Sequence, residues 1–340
     1  MLGDAEEIYG SPLFFLKLGV IGLKAFTTYE KQIEILKERK LYILDEQIFM
    51  AQLEEIGYYN LINGYGDIFQ YVKDYYCRTA TDQDILNLYR FDKNLRNLVY
   101  KYALQVESKL KAKTCHIFSK YHGIDHRKYL NPKCFDQDSV KQERIKKLII
   151  KCFLIIKNGS QKKSNKGRKY IIHYLHQHGF VPLWVLARAM TLGEMSVFYS
   201  NMKPNEKLEI STYFNIKPTH LEIMLKMLGA YRNIVAHDER IYCAKLYNDQ
   251  LPNNLPVYAV MKTPKNKAGI SATGRKDFLA LMVIFKYLLS PIDFASFMSE
   301  FEAKLISLEK KIKQHFVDKI KESMGLLGDW IEIKKYRVGG

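Results

Sequence analysis

The feature that most constrains this chain is a single apolar stripe that follows Thr81. Seven apolar residues recur there at spacings of three, four or seven: Ile85, Leu88, Leu95, Val99, Tyr102, Val106 and Leu110. This spacing puts their side chains on one face of a long α-helix. Thr81 with Asp84 predicts the cap that begins the helix, and His122-Gly123 predicts its end.

Helical periodicity also dominates the rest of the sequence. A tyrosine-rich turn is expected at 57–66, a polar loop at 158–166, and a long loop or small hairpin at 251–274. No internal repeat and no convincing run of alternating strand residues is present, so the predicted fold class is all-α. The other predicted helices cover 29–40, 45–56, 139–157, 170–178, 182–190, 195–202, 218–242, 276–289 and 291–323.

We predict three regions along the chain. Residues 1–80 form an N-terminal helical region and residues 81–325 a helical bundle, with residues 326–340 as a C-terminal tail. The bundle carries a basic loop near 158–169 and the long loop near 251–274.

Positive charge is concentrated in one segment. The net charge is +17, and the stretch from Lys141 to Lys169 holds eleven lysines and arginines against one acid, Glu143. Such a run can neutralise phosphates and release their counterions, which predicts salt-sensitive binding of RNA. A solvated helix face with a flexible loop is the alternative for any single lysine. The candidate RNA contacts are Lys146, Lys147, Lys151, Lys162, Lys163, Lys166, Arg168 and Lys169.

Cysteine usage and hydropathy bear on the compartment. The five cysteines are scattered and form no CxxC pair, which is typical of a reducing compartment. The apolar stretch 12–26 is shorter than the ~20 residues that cross a bilayer. Acids precede this stretch, and Lys17 and Lys24 interrupt it, unlike a secretory signal. We therefore expect a cytoplasmic protein with no membrane partner.

One short segment has residues suited to RNA cleavage. Arg232, Asn233 and His237 follow the pattern of arginine, polar residue, three residues and histidine. The 2′-hydroxyl of RNA can attack its own phosphate if one group moves protons and a cation stabilises the phosphorane. Histidine, with an unperturbed pKa of about 6.5, can move the proton, and arginine suits the phosphate. Because the nucleophile is in the substrate, we expect no metal and no cofactor.

The spacing of this motif has a geometric consequence. Asn233 and His237 share one helix face, but Arg232 and His237 are about 140° apart on an ideal helix. Either Arg232 reaches around the helix or a second copy of the motif completes the site. We therefore expect a homodimer.

Other constellations carry weaker signals. Arg168 to His173 repeats the spacing without the polar residue and is treated as a chance match. Arg96 and Glu107 share the polar face of the long helix and are expected to be solvent-exposed charges. The scattered cysteines and histidines match no zinc pattern: they are Cys115, His116, His122, His126, Cys134, His173, His176 and His178. No phosphate-binding, dinucleotide-binding or serine-hydrolase motif is present.

The order of four sequence stretches resembles the Abi-like abortive-infection proteins of bacteria, in the AbiD/AbiF group. They are TYEKQIEILKERKL (28–41), IGYYNLINGY (56–65), FDKNLRNLVYKYALQVESKLK (91–111), and the pair PLWVLARAMTLGEMSVFYSNM (182–202) and LGAYRNIVAHDERIY (228–242). The C-terminal hundred residues match only as further helices.

The resemblance implies an HEPN-type helical bundle with additional N-terminal and C-terminal helices. It also implies a metal-independent ribonuclease in which Arg232 and His237 are catalytic, Asn233 is the adjacent polar member, and Arg96 and Glu107 are weaker supporting candidates. Its expected role is anti-phage defence, in some members beside a small non-coding RNA. The alternative is a non-catalytic RNA-binding scaffold that holds such an RNA.

Overall fold

A computed structural model describes residues 26–161 and 167–338. Within these ranges the chain is helical, with two short strands, which confirms the all-α prediction. The α-helices are α1 (Tyr29–Glu38), α2 (Glu46–Ile56), α3 (Asp82–His122), α4 (His126–Tyr129), α5 (Gln142–Gly159), α6 (Lys169–His178), α7 (Leu183–Leu186), α8 (Leu192–Ser200), α9 (Pro204–Tyr213), α10 (Pro218–Ala236), α11 (Val257–Val260), α12 (Phe278–Leu288), α13 (Pro291–Glu309) and α14 (Gln314–Ser323).

The described chain divides into two compact units, one ending at Ile85 and the other beginning at Leu86. In the first unit, the tyrosine-rich turn contains a π-helical turn, Tyr59–Asn63. The antiparallel strands β1 (Gln70–Val72) and β2 (Tyr75–Tyr76) follow it. These strands were not predicted, because they are too short to show alternation of apolar and polar residues.

The second unit is built around α12, in which ten of eleven residues are buried. Helix α10 packs against α8, α9 and α12. It approaches α8 closely where Gly229 faces Gly193: a β-carbon added to Gly229 would lie 3.7 Å from Cα of Gly193. The core continues through Phe297, whose ring lies 5.4 Å from that of Tyr102 in α3. Helix α10 is therefore held along its length by buried neighbours.

The predicted caps of the long helix are confirmed. The Asp84 backbone N–H donates to Oγ1 of Thr81 at 3.2 Å, and the Thr81 N–H donates to the Asp84 carboxylate at 2.8 Å. Helix α3 ends at His122, as His122-Gly123 predicted. The long segment 251–274 contains the short helix α11, which was not predicted, and an isolated antiparallel bridge between Lys265 and Ser271.

Two predictions in the C-terminal half are wrong. The helix predicted over 291–323 is two helices, α13 and α14, separated at Lys310–Lys313. Ile312 in that break is buried, so packing turns the chain where no glycine or proline stops the helix. Helix α9 was not predicted, although Pro204 at its start is a common first helical residue.

In the described ranges, no helix is both long enough and apolar enough to span a membrane. The apolar stretch 12–26 lies outside the described residues, apart from Phe26.

Candidate active site

The candidate site forms at the C-terminal end of α10. Tyr231, one residue before Arg232, is fully buried, and its hydroxyl donates to the backbone carbonyl of Asp277 at 2.7 Å. Burial raises the pKa of Tyr231 well above its usual value, so the phenol remains a donor. This hydrogen bond fixes the last turn of α10 against the start of α12.

The sequence predicted that His237 lies inside a helix, but the structure places it at the C-terminal cap of one. Helix α10 ends at Ala236 rather than at Tyr242. The His237 N–H still donates to the Asn233 carbonyl at 3.0 Å, which completes the last helical turn. The next residue, Asp238, takes a left-handed conformation with φ of 59° and stops the helix. His237 is therefore presented at an exposed helix end.

A buried ion pair on α3 explains why the helix stops there. Arg96 donates from Nη1 to the Asp92 carboxylate at 2.6 Å, and the two side chains are 4% and 0% exposed. Arg96 also contacts the carboxylate of Asp238 through Nη2, at 2.9 Å. One end of the pair thus holds the residue that follows His237.

The other end of the pair holds the next stretch of backbone. The Asp92 carboxylate accepts hydrogen bonds from the N–H groups of Ile241 and Tyr242, at 3.2 and 2.8 Å. Both of these residues are buried. A helix continued to Tyr242 would direct these N–H groups to α10 carbonyls instead, so the Asp92 contacts replace the last helical turn.

Arg232 is half-buried, and it has an unusual environment for a cation. Its Nε is buried and has no hydrogen-bond partner among the described residues. A buried donor on a charged group costs free energy when it is left unpaired. An anionic oxygen placed beside Arg232 would satisfy it.

The three predicted catalytic residues are brought to one helix end. Asn233 and His237 are exposed and one turn apart, on the same face, as predicted. Because residues up to Ala236 are helical and His237 keeps its helical hydrogen bond, Arg232 remains about 140° around the axis from His237. Asn233 therefore shares a face with His237, whereas Arg232 projects from another part of the turn.

The two supporting candidates, Arg96 and Glu107, lie at different distances from the candidate site. Neither is a freely solvated charge, because Arg96 is 3% exposed and the side chain of Glu107 is 12% exposed. Arg96 contacts the turn after His237. Glu107 pairs with Lys111 at 2.6 Å and lies about 16 Å farther along α3, at ~1.5 Å per residue. Arg96 thus belongs to this site and Glu107 does not.

Sequence reasoning missed Asp92 and Asp238. A signal for Asp92 was present, because the apolar stripe skips one position between Leu88 and Leu95, and Asp92 fills that gap. An acid on the buried face of a helix needs a partner, and Arg96 lies four residues away. Asp238 gave no such signal, since it is 80% exposed.

The predicted RNA contacts in the basic segment are only partly described. Lys162, Lys163 and Lys166 lie outside the described residues. Lys147 lies 3.6 Å from Glu143 and Lys151 lies 2.8 Å from Glu194 in ion pairs. The five that are described are exposed, on α5 or at the start of α6: Lys146, Lys147, Lys151, Arg168 and Lys169.

Two of the scattered histidines have polar partners within the protein. His122 contacts Glu206 at 2.6 Å, and Nδ1 of His126 accepts from the N–H of Val181 at 3.1 Å. No group of three or more possible ligands occurs in the parts of the chain that the structure covers. The five cysteines all lie within the described residues, and no disulfide joins them.

Comparison with known proteins gives one match. A family model described as Abi-like protein matches residues 51–243, which is more than half of the chain. This range contains Asp92, Arg96 and the whole of α10. No curated protein and no solved structure matches this chain.

The Asp92–Arg96 pair predicts unequal effects for substitutions at Arg96 and at Asp238. Arg96→Ala leaves the buried carboxylate of Asp92 without a counter-charge, and we expect it to lower the free energy of unfolding by about 3–5 kcal/mol. Asp238→Asn keeps a residue that tolerates the left-handed conformation but removes the exposed charge, and it should cost about 0–1 kcal/mol. Urea denaturation of the two variants measures the difference, and equal losses would contradict the assignment of the pair as the structural element.

Proposed function

The chain belongs to the Abi-like protein family, which links it to abortive infection, and we propose that it acts there as an RNA-binding, metal-independent endoribonuclease of the HEPN type. The observation that carries this proposal is the half-buried Arg232, whose Nε lacks a partner among the described residues, within five residues of the exposed His237. A phosphate oxygen is the ligand that such an arginine suits.

The proposed reaction uses the substrate's own nucleophile. The 2′-oxygen forms a bond to the adjacent phosphorus while the bond from phosphorus to the 5′-oxygen breaks. The 2′-hydroxyl loses a proton and the 5′-oxygen gains one, and the products are a 2′,3′-cyclic phosphate and a 5′-hydroxyl. His237 moves protons and Arg232 stabilises the charge on the phosphorane, while Asn233 orients one of these two side chains.

Arg96 acts in this proposal through the backbone and not on the substrate. Its contact with Asp238 and its pair with Asp92 keep the turn after His237 in one place. A histidine must lie within hydrogen-bond reach of the proton that it transfers. Arg96 is therefore a positioning residue, and the exposed Asn233 and His237 remain free to meet RNA.

Cleavage of end-labelled single-stranded RNA in EDTA tests the ribonuclease. We expect wild type to leave 2′,3′-cyclic phosphate ends, and His237→Ala to slow cleavage about 10²- to 10⁴-fold, the usual size of a proton-transfer contribution. Arg232→Ala should lose cleavage in the same way, and Lys310→Ala serves as an exposed control. If wild type and all variants bind the RNA equally and none of them cleaves it, the result would favour the non-catalytic scaffold.

The active form that we propose is a homodimer with composite sites. Arg232 and His237 of one chain project from different parts of the helical turn, so Arg232 of one chain can act with His237 of a second chain. A closed two-fold dimer would then contain two equivalent sites.

Mixing inactive variants tests the composite site. After subunit exchange between Arg232→Ala and His237→Ala proteins, half of the dimers are mixed, and each mixed dimer has one intact site. We therefore expect cleavage to recover to about one quarter of the wild-type rate. Light scattering at the assay concentration gives the molar mass. An active monomer, or no recovery in a mixture shown to contain mixed dimers, would refute the dimer.

RNA binding by the basic segment is tested with two matched lysine pairs. Lys146→Ala/Lys147→Ala removes two exposed charges from α5, and Lys310→Ala/Lys311→Ala removes two exposed charges after α13. We expect only the first variant to weaken RNA binding and to reduce the slope of log affinity against log salt, by roughly 0.7 per lost phosphate contact. Filter binding at several salt concentrations gives both values. Equal effects of the two variants would remove the basis for a specific RNA surface.

A further inference from the structure

A second feature in the Leu86–Gly340 unit is a cavity of about 510 Å³ between the C-terminal half of α3 and the segment that contains α7. Its volume is within the range of small-ligand sites. Trp184 from α7 lines it with 44% of its surface exposed. The lining residues are Lys111, Ala112, Cys115, His116, Ser119, Lys120, Trp184, Ala187 and Arg188.

The charged side chains that line this cavity are all basic. Lysines and an arginine line it, and no acid is among the lining residues. Lys111 and Lys120 are paired with Glu107 and Glu209, at 2.6 and 3.0 Å. Arg188 instead lies over the ring of Tyr170, at 5.0 Å, and is exposed. No carboxylate of the described residues pairs with Arg188, so its guanidinium can bind an anion without losing a partner.

A polar atom in the same cavity lacks a partner. Ser119 Oγ is buried and makes no hydrogen bond with the described residues. A buried hydroxyl meets no incoming base in this conformation, so the accessible groups are the exposed indole and a cation. These are groups that hold an unpaired nucleotide.

The cavity is connected to the basic segment through Tyr170. The Tyr170 hydroxyl accepts from Arg168 Nη1 at 3.1 Å, while its ring lies against Arg188. Arg168 belongs to the segment in which we propose RNA contacts. A strand bound at Arg168 would therefore lie close to Arg188, which favours RNA over a free nucleotide as the occupant.

We propose that Trp184 stacks on a base of bound single-stranded RNA while Arg188 contacts an adjacent phosphate. This inference rests on the proposed RNA binding and adds a defined base pocket to it. The pocket is separate from the cleavage site, because Lys111 lies roughly 22 Å along α3 from Arg96 at ~1.5 Å per residue. It holds the strand and takes no part in bond breaking.

Tryptophan fluorescence tests the pocket without altering it. The chain has two tryptophans, so Trp330→Phe leaves Trp184 as the only indole. The probe is oligoadenylate with 2′-O-methyl groups, which cannot be cleaved because its nucleophile is blocked. We expect saturable quenching of Trp184 by this probe. No quenching under conditions in which the probe is bound would overturn the proposal.

Affinity measurements with variants provide the second readout. Trp184→Ala should weaken binding of the same probe about 5- to 150-fold, whereas Trp184→Phe should retain most of it because a phenyl ring still stacks. Arg188→Ala should also weaken binding, unlike the exposed control Arg78→Ala. Equal affinity of the Trp184→Ala and Trp184→Phe variants would argue against stacking.

The arms of the experiment separate this inference from the ribonuclease. Quenching of Trp184 by the probe in a protein that cleaves no RNA would support the base pocket and refute the proposed ribonuclease activity. Cleavage of RNA without quenching would support the activity and refute the base pocket. Quenching by adenosine monophosphate at the concentrations that suffice for the oligonucleotide would assign the cavity to free nucleotides and overturn the RNA assignment.

Discussion

The buried ion pair of Asp92 and Arg96 is the interaction on which the candidate site depends. A buried carboxylate is tolerated only when its oxygens are satisfied, and Asp92 meets this condition with Arg96 and the N–H groups of Ile241 and Tyr242. The two backbone contacts of Asp92, together with the contact of Arg96 with Asp238, join α3 to the chain after α10. The pair therefore fixes where the turn containing Asp238 lies, and with it the position of His237.

The end of α10 shows tertiary structure overriding local preference. Residues 238–242 contain no proline or glycine, so the sequence predicts that the helix continues. The left-handed conformation of Asp238 costs free energy. Contacts with Arg96 and Asp92 offset that cost, because they satisfy groups that would otherwise be buried unpaired. A helix boundary set in this way cannot be found from neighbouring residues alone.

Much of the fold could be predicted, because its signals are local. The apolar stripe located α3, and Thr81 with Asp84 located its first turn. The break between α13 and α14 could not be predicted, since it depends on burying Ile312 against distant residues. At the site, spacing placed Asn233 and His237 on one face. The burial of Arg96 escaped prediction because a polar residue beside an apolar stripe usually faces solvent.

Unsatisfied polar atoms connect the two proposed RNA contacts. Native proteins pair nearly all buried polar groups, so exceptions call for a physical reason. Among the described residues, Arg232 is the only charged side chain with a buried atom that lacks a partner, and Ser119 lines the cavity beside Trp184. A charged group costs the most to leave unpaired. The guanidinium of Arg232 suits a phosphate oxygen, and the exposed indole of Trp184 suits the face of a base. A single strand has both groups along its length, which is why one RNA can account for both sites.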